Sequence, residues 1–455
     1  MGSAALGSHR SRSSVAERLP APLVFASMGV AAFMIVRALG EQPLVLALVL
    51  AAGVVIGTAL FFSERYVLSL GFLLAYLALA DGFLKLRYGG DTITVVRDIL
   101  LLAIAAGAVV RLAVRKSELT FPAGTWLVLA WLVVVGVQLF NPVNGTALHS
   151  VQALRQHIEF VPLFFLGFAV MRTKARLRGF FLLLLAVTAI NGIVALVQYE
   201  AGPEAVAAWG PGYAEKINGT AEIAGRTFYD SATGSRNLRP FGLGSDVGFG
   251  GNLAVLAAPA ALAFIALTRR RATQLVGAAL AAGVVLATLT SQTRLAVVGT
   301  VAAFGSSLAF ALASRRTVAA VVAALVLGGV GYGAVSYLGS NTNEQVFSRY
   351  SSLAGREAVS SSVAYKGSSL SEFPRLVTEH PFGAGFGSAG PASSTAGAPA
   401  TKRTLDAENE FNFLIIETGI PGLLVLLAFH LLAVMRSVAT VRRQRDPETR
   451  LLLAG

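Results

Sequence analysis

The sequence predicts an all-α, polytopic membrane protein of about twelve transmembrane helices with large extracytoplasmic loops. Of its 455 residues, 55% are hydrophobic and only 13% are charged, whereas soluble domains carry about a quarter charged residues. The apolar residues are gathered in runs close to the roughly 20 residues that a helix needs to cross a bilayer. Twelve such runs occur, at 21–38, 43–62, 66–84, 98–114, 121–140, 158–172, 179–199, 247–268, 274–290, 294–313, 317–338 and 411–435.

The basic residues of the short connections indicate on which side of the membrane each connection lies, because lysine and arginine collect on the cytoplasmic side. If the N-terminal arm is cytoplasmic, every second connection is cytoplasmic too. These connections contain Arg65, Arg115, Lys116, Arg172, Lys174, Arg176, Arg178, Arg269, Arg270, Arg271, Arg315, Arg316, Arg442, Arg443 and Arg445. The opposite connections at 39–42 and 141–154 contain neither residue type. Topology thus accounts for much of the net charge of +13, and no nucleic-acid partner is predicted.

The spans and their orientation predict seven segments along the chain. These are a cytoplasmic basic arm at 1–20, N-terminal transmembrane helices at 21–199, an extracytoplasmic loop at 200–246, transmembrane helices at 247–338, a large extracytoplasmic loop at 339–410, a transmembrane helix at 411–435 and a cytoplasmic segment at 436–455. The arm has no A-x-A cleavage pattern after it and is expected to be retained. The last residues, RLLLAG, have the composition of a new apolar run, so the natural chain is expected to continue.

Several cations lie on the predicted outer face, where the charge rule for short loops does not require them. They are Arg226, Arg236, Arg239, Arg294, Arg349, Arg356, Arg375, Lys402 and Arg403. The planar guanidinium group suits phosphate and carboxylate oxygens. Arg294 begins an apolar run, where an unpaired charge is costly and usually functional. The alternative for Arg294 is that its side chain only extends to the lipid headgroups.

The acidic candidates stand at the start of the last span. Glu408 precedes it together with Asp406 and Glu410, and a helix N-terminus stabilises a carboxylate, which favours a catalytic base. Simple helix capping is the alternative. Glu417 lies within the apolar run and is either structural or catalytic. The histidines His149, His157, His380 and His430 are isolated in the sequence and are interpreted as structural, and no spacing predicts a metal site.

The chain has no cysteine, which excludes a disulfide framework and a thiolate nucleophile. Two glycine-rich pieces, GLGSDVG at 242–248 and GAGFGSAG at 383–390, do not fit a dinucleotide site, because neither belongs to a βαβ unit and both are predicted outside. They are expected to make tight turns and close backbone contacts. The aromatic residues Trp209, Tyr213, Phe228, Tyr229 and Tyr350 are expected mainly in an interfacial belt, with stacking on sugars as the alternative.

Four motifs follow one another in a distinctive order. They are Arg239-Pro240-Phe241-Gly242 before a span, Ser291-Gln292-Thr293-Arg294 at the start of another, His380-Pro381-Phe382-Gly383-Ala384-Gly385-Phe386-Gly387 in the long loop, and Asn409 followed by Glu417-Thr418-Gly419-Ile420-Pro421-Gly422. This order resembles the O-antigen ligase and O-antigen polymerase superfamily. The likeness extends from about 180 to 435, and the N-terminal spans share only their hydropathy with it.

The resemblance implies a GT-C-like glycosyltransferase of the bacterial cytoplasmic (inner) membrane, with its active site facing the outside. The donor would be a glycan on undecaprenyl diphosphate, and neither a metal nor another cofactor would be needed. By position, Arg294 and Arg239 would hold the donor pyrophosphate, with Arg236, Arg226, Arg375 and Asn409 as further substrate-binding residues. Glu408 would be the catalytic base and Arg294 its catalytic partner.

One departure from the family pattern bears on the acceptor. Ligases commonly have a histidine directly before the asparagine that ends the loop, and here that residue is Glu408. A carboxylate also accepts a proton from a hydroxyl, so transfer is retained, and the change favours a surface polysaccharide polymerase over a ligase. A transporter or flippase of lipid-linked sugars is the alternative from another class. It would need polar residues through the membrane, and the spans contain few, chiefly Arg111, Asn191, Glu417 and His430.

Overall fold

The computed structural model describes residues 44–88, 93–115, 121–141, 144, 146–219, 228–230, 236–267, 271–311, 371–389, 409–446, 449–450 and 453. The predicted arm at 1–20, the runs at 21–38 and 317–338, most of the loop at 339–410, Arg226 and Glu408 lie outside these residues. The described chain forms two compact units, one from residues up to 73 together with 91–120, and one from 74–90 together with 121–455.

The first unit contains α1 (Leu44–Phe62), most of α2 (Tyr66–Tyr76) and α4 (Thr94–Arg115). Glycines let α1 and α4 approach closely, since a Cβ on Gly53 would lie 2.8 Å from Val96. Arg111 is buried, and its Nε donates to the Tyr66 hydroxyl at 2.7 Å while its guanidinium group covers that ring at 5.0 Å. A second bond from Arg111 reaches the carbonyl of Phe61. This buried arginine is thus bonded within its own unit.

The second unit is built mainly of helices. After a π-helical turn at Leu77–Asp81 come α3 (Gly82–Tyr88), α5 (Thr125–Gln138), α6 (Ala147–Ile158), α7 (Val161–Val170), α8 (Lys174–Ala207), α9 (Pro211–Asn218), α10 (Phe249–Leu267), α11 (Arg271–Thr290), α12 (Arg294–Ala311), α13 (Phe373–Glu379) and α14 (Glu410–Arg443). Between α9 and α10 a short antiparallel hairpin joins β1 (Phe228–Asp230) to β2 (Arg236–Leu238), with Phe228 opposite Leu238. Apart from this hairpin, the described residues confirm the all-helical class.

Small residues allow the central helices α8, α10 and α11 to pack tightly. Their shared core is rich in alanine, including Ala257, Ala258 and Ala287. A Cβ on Gly192 of α8 would lie 2.7 Å from the backbone nitrogen of Ala287 in α11. Close approach through small residues is the usual way for membrane helices to associate, because lipid offers no hydrophobic drive between them.

The two longest helices, α8 and α14, are both kinked by glycine followed by proline. In α8 the interruption is at Gly202, with φ of 78°, followed by Pro203. In α14 it is at Gly419, with φ of 68°, followed two residues later by Pro421. Only glycine adopts such a φ without strain, and proline removes a helical hydrogen bond. Each long apolar helix is therefore two shorter helices in sequence.

Four described helices are long and apolar enough to cross a membrane, namely Tyr66–Tyr88, Ala153–Val170, Lys174–Ala207 and Glu410–Arg443. Shorter apolar helices coincide with five more of the predicted runs, and the run at 98–114 falls within α4. The protein is a membrane protein, but the count of about twelve spans is not confirmed by these helices.

Tyr213 corrects the prediction of an interfacial aromatic belt. Its side chain is fully buried, and its ring meets Phe241 edge-on at 5.3 Å and Trp209 at 5.8 Å. Burial raises the pKa of the Tyr213 hydroxyl above its usual range, because the charged form loses its hydration. Tyr213 is therefore a core residue that joins α9 to the segment before α10.

The start of α8 and the end of α14 lie at the same end of the second unit. Lys174 Nζ is 2.7 Å from Asp446 Oδ2, with both side chains about two-fifths exposed. The hydrogen bond from Lys174, followed by that from Thr449, lowers the pKa of Asp446 to about 2. Positions 174 and 446 belong to two connections that the charge rule assigns to the same side of the membrane.

This pair predicts a small, pH-dependent stability effect. Because the folded pKa of Asp446 is below its ordinary value, the pair stabilises the fold above about pH 4 and loses that contribution as the pH falls through about 2. Because both side chains are partly exposed, the ion pair contributes less than about 1 kcal/mol to the free energy of unfolding. We expect Asp446→Asn to lower the thermal unfolding midpoint slightly at pH 7 and not at pH 2. An equal difference at both pH values would contradict this assignment.

Candidate functional site

The turn Arg239-Pro240-Phe241-Gly242 is held by two buried amide side chains of α8. Gln198 Oε1 accepts from the backbone N–H groups of Phe241 and Gly242, both at 2.9 Å. Its Nε2 donates to the carbonyl of Gly242 at 2.8 Å. Asn191 Oδ1, two turns earlier in α8, accepts from the N–H of Leu243 at 2.8 Å. Both amides are fully buried, so the turn has one fixed position on the helix.

The same turn continues directly into the start of α10. The carbonyl of Pro240 accepts from the N–H of Gly248 at 3.0 Å. Gly248, with φ of 75°, leaves no space for a side chain because it packs against the hydroxyl of Thr293. A Cβ on Gly251, one turn further, would lie 2.6 Å from the Ser291 side chain. The first two motifs found in the sequence therefore meet through glycines.

The connection Ser291-Gln292-Thr293 turns the chain from α11 into α12, which begins at Arg294. Gln292 is fully buried with φ of 54°, a conformation that costs a residue other than glycine about 1–3 kcal/mol and is concentrated at functional sites. The turn is braced by Ser291, whose hydroxyl donates to the carbonyl of Thr288 at 2.7 Å and accepts from the N–H of Thr293 at 3.2 Å.

Two helix N-termini therefore lie close together, α10 at Phe249 and α12 at Arg294. The first N–H groups of a helix have no partner within the helix, and the helix dipole places partial positive charge at this end. Arg239, half-buried, belongs to the turn bonded to Gly248. The arrangement of backbone and cation is suited to an anion with several oxygens.

A second cluster of polar groups surrounds Glu417 in α14. Its carboxylate is 1% exposed. Oε2 accepts from the N–H of Gly387 at 3.0 Å, and Oε1 accepts from the N–H of Ala389 at 2.9 Å. The Nε2 of His157 in α6, whose side chain is 3% exposed, lies 3.2 Å from Oε2. Glu417 thus binds the loop that follows α13 and a histidine of another helix.

Aromatic rings enclose the His157 imidazole. Its ring stacks on Phe386 of the loop at 5.1 Å and on Phe413 of α14 at 5.6 Å. The carbonyl of His157 accepts from the indole N–H of Trp131 at 3.0 Å. With Nε2 against the carboxylate, the imidazole combines a hydrogen-bonding partner with stacking partners. His157 is therefore not isolated in the fold, and its interpretation as a structural residue stays a prediction.

The loop before Gly387 is also fixed by backbone bonds to α14 and by amides near the end of α5. Ala384 N donates to the carbonyl of Ile416 at 2.6 Å, and Ile420 N donates to that of Pro381 at 2.9 Å. Gln138 Nε2 donates to the carbonyl of Phe382 at 2.5 Å. Asn144 Oδ1 accepts from the N–H of Phe386 at 2.8 Å. The bonds to the Ile416 carbonyl and from the Ile420 N–H satisfy backbone groups of α14 that the kink at Gly419 leaves without their helical partners.

The glycines of this loop confirm the prediction of tight turns and close backbone contacts. Gly383, Gly385 and Gly387 have φ of 85°, 91° and 73°. A Cβ on Gly385 would lie 2.6 Å from Asn144 Oδ1, and one on Gly387 would overlap the His149 ring. Gly242 and Gly248 of the other glycine-rich piece also have positive φ.

The remaining predicted site residues have varied surroundings. Asn409 is the N-cap of α14, where its Oδ1 accepts from the N–H of Asn412 at 2.8 Å. Arg375 is exposed on α13, 3.8 Å from Glu372 and 3.7 Å from Glu379, an arrangement typical of a solvated helix face. Arg236 begins β2 and Arg294 begins α12. The assignment of these four residues as site residues stays a prediction, as does that of Glu408 and Arg226.

Sequence reasoning missed the amide groups of Gln138, Asn144 and Gln198 that hold the two loops, and it did not connect His157 and Asn191 with them. A shared signal was present, since most of them stand within or beside an apolar run. Their partners are backbone groups far away in the chain, and these have no signature in the sequence. Asn191 and Glu417 were noted as polar residues inside spans, and His157 was noted as an isolated histidine.

Residues 276–427 match a family model described as O-Antigen ligase. The matched range begins in α11 and ends in α14, and it includes the Ser291–Arg294 connection, the loop around Gly387, Asn409 and Glu417. No curated protein and no solved structure matches the chain. Residues 276–427 are thus similar to the O-antigen ligase family, in agreement with the resemblance of the motif order to O-antigen ligases and polymerases.

Proposed function

We propose that the protein is a glycosyltransferase that moves a glycan from undecaprenyl diphosphate to an acceptor sugar hydroxyl, as a surface polysaccharide polymerase of GT-C-like architecture. The reaction would take place at the outer face of the bacterial cytoplasmic membrane. The matched family supports a lipid-linked glycan donor in general terms. One observation carries the assignment of the donor site, which is the convergence of the Arg239 turn with the N-termini of α10 and α12.

A diphosphate is the part of such a donor that needs this environment most. When the glycosidic bond breaks, negative charge grows on the leaving diphosphate, and fixed positive groups stabilise that charge. Arg239 and Arg294 provide guanidinium groups from the two motifs, and the helix N-termini add N–H groups. The hydrogen bond from the N–H of Gly248 to the carbonyl of Pro240 fixes the Arg239 turn against the start of α10 without help from the ligand.

The proposed transfer involves one bond formed and one broken. The acceptor hydroxyl oxygen attacks the anomeric carbon of the donor glycan. The bond from that carbon to the diphosphate oxygen breaks, and the diphosphate leaves with the electron pair. The hydroxyl proton passes to the carboxylate of Glu408, which directly precedes the N-cap residue Asn409. A carboxylate near a helix N-terminus is favoured in its ionised form, as a base requires.

The contacts between connections support the proposed orientation. Asn144, in a connection that the charge rule assigns to the outside, binds Phe386 of the long outer loop. Lys174 and Asp446, in connections assigned to the cytoplasm, bind each other. Each pair joins two segments that are expected on one side of the membrane.

A ligase remains the second candidate, because the matched family model is described as O-Antigen ligase. It would use the same donor site and differ only in the acceptor. The transporter alternative is less well supported, since Gln138, Gln198 and Glu417 are bonded to the protein's own backbone. Side chains engaged in this way do not line a path for a substrate.

The test is a reconstitution of the protein with an undecaprenyl-diphosphate-linked oligosaccharide and mass spectrometry of lipid and glycan products. We expect Arg294→Ala and Arg239→Ala each to lower the transfer rate by about 100- to 1,000-fold. We expect Glu408→Gln to lower it by about 100- to 10,000-fold. Arg436→Ala serves as the control, because Arg436 is exposed in the far half of α14.

The products separate the candidate functions. Release of undecaprenyl diphosphate with lengthened glycans supports the polymerase. Transfer to a different added acceptor, without lengthening, supports the ligase. Unimpaired transfer by Arg294→Ala would exclude the proposed donor site, and lipid translocation without bond cleavage would exclude an enzyme.

A further inference from the structure

We infer that Gln198 is a positioning residue for Arg239, which it positions by holding the Arg239–Gly242 turn against α8. This inference rests on the proposed function, because it gives Arg239 a diphosphate to bind. Gln198 itself is fully buried in the second unit. It touches the turn through backbone atoms, so its effect on any ligand passes through the position of the turn.

The number of bonds makes Gln198 well suited to this function. One oxygen accepts from two consecutive N–H groups, of Phe241 and Gly242, and one nitrogen donates to the carbonyl of Gly242. A short turn thus has three of its backbone groups fixed by one side chain. Each group would otherwise be buried without a partner, at a considerable cost. Phe241 is also fully buried, which fixes the turn from its other side.

The other long helix holds its loop in a similar way, which shows that the arrangement is not an isolated contact. In α14, Glu417 stands two residues before the kink at Gly419 and accepts two backbone N–H groups of the loop that begins Pro381-Phe382-Gly383. In α8, Gln198 stands four residues before the kink at Gly202 and accepts two from the turn Pro240-Phe241-Gly242. Each kinked helix therefore uses one interior side chain to hold two backbone N–H groups of the segment packed against it.

The two interior groups differ in chemistry. Gln198 both accepts from and donates to its turn, whereas the Glu417 carboxylate only accepts and takes its third donor from His157. An amide keeps the α8 turn bound without placing a charge beside Arg239. A carboxylate at position 198 would reproduce all three bonds only when protonated, because only then can it donate to the carbonyl of Gly242.

This property of a carboxylate supplies a test that a general loss of packing would not reproduce. Gln198→Glu is expected to approach wild-type activity at low pH and to lose it as the pH rises, because the ionised carboxylate repels the Gly242 carbonyl. Gln198→Leu has a similar size and no hydrogen-bonding group, so it is expected to be impaired at every pH. Thr188→Val is the matched control in the same helix, since Thr188 is fully buried and its hydroxyl bonds only the carbonyl of Leu184, at 2.7 Å, among the bonds found.

Two measurements are made on the reconstituted full chain. Hydrogen exchange of the peptide that contains Phe241 and Gly242 reports the turn directly. Steady-state kinetics with the undecaprenyl-diphosphate-linked oligosaccharide reports its consequence for the donor. We expect Gln198→Leu to exchange these amides faster and to lower kcat/KM by about 100-fold, through the KM for the donor and not the KM for the acceptor. Thr188→Val should leave both readouts at their wild-type values.

The outcomes separate this inference from the proposed function. Wild-type exchange in Gln198→Leu would overturn the holding of the turn. Faster exchange with an unchanged donor KM would overturn the positioning of Arg239. A pH profile of Gln198→Glu parallel to that of wild type would overturn the hydrogen-bonding argument. If wild type transfers no glycan, the proposed function fails and the link to Arg239 fails with it, while hydrogen exchange still tests the hold on the turn.

Discussion

Glu417→Gln is expected to destabilise the fold by about 1–3 kcal/mol, the usual cost of leaving a buried hydrogen-bonding group without a partner. The carboxylate accepts from three donors, the N–H groups of Gly387 and Ala389 and the imidazole of His157. An amide at this position has one accepting oxygen, and its nitrogen would face at least one of these donors. The result is a buried donor without an acceptor.

The measurement for Glu417→Gln is the free energy of unfolding in detergent, with Glu410→Gln as the matched control. Glu410 is the first residue of the same helix and is exposed, so the control makes the same chemical change where water can replace the lost bond. We expect the control to change stability by less than about 1 kcal/mol. Equal effects of both variants would contradict the interior role of Glu417.

Substitution of His157 separates the two parts of this cluster. His157→Phe keeps a ring between Phe386 and Phe413 and removes the donor to Glu417. His157→Gln keeps a donor and removes the ring. If the hydrogen bond to the carboxylate dominates, the glutamine variant is the more stable one. The reverse order would show that stacking fixes the loop.

Gly387→Ala is expected to have a comparable effect for a different reason. Gly387 has φ of 73°, which costs an alanine about 1–2 kcal/mol. The new methyl group would also overlap the ring of His149, which is fully buried, and such overpacking costs about 1–3 kcal/mol. The sum is about 2–5 kcal/mol in the free energy of unfolding.

The control for this change is Gly136→Ala in α5, where a Cβ meets no atom within 4 Å. Alanine in a helix is favoured over glycine by about 0.5–1 kcal/mol, so the control is expected to be neutral or stabilising. Adding His149→Ala to Gly387→Ala should recover the steric part and leave the backbone part. No recovery in the double variant would contradict the contact with His149.

The sequence predicted the helices well and the loops poorly, and the cause is the range of the interactions. Hydrophobic runs mark a helix wherever it crosses lipid, so α8 and α14 could be found from composition alone. The bonds that position the loops join distant residues, such as His157 with Glu417, which are 260 positions apart. Tyr213 shows the same limit, because its burial depends on Phe241, which no local pattern links to it.

The candidate donor site was predicted in part. The motifs around Arg239 and Arg294 were identified, and the structure joins their neighbouring residues through Gly248 and Thr293. That contact could not be predicted, because it depends on the absence of a side chain. Asn409 and Arg375 show the opposite case. Both were selected for their chemistry, and local bonds within their own helices account for their positions.

The long separation between His157 and Glu417 also constrains how the protein is made. During synthesis α5 and α6 are inserted before α14. Because His157 and Glu417 are 260 positions apart, more than 200 further residues are translated before these two can meet. Until then Gln138, His157 and the residues around Trp131 remain in the membrane without their later partners. A polar group in that situation must find water, lipid headgroups or another temporary partner. Completion of this half of the molecule is therefore a late event in biogenesis, governed by the arrival of α14.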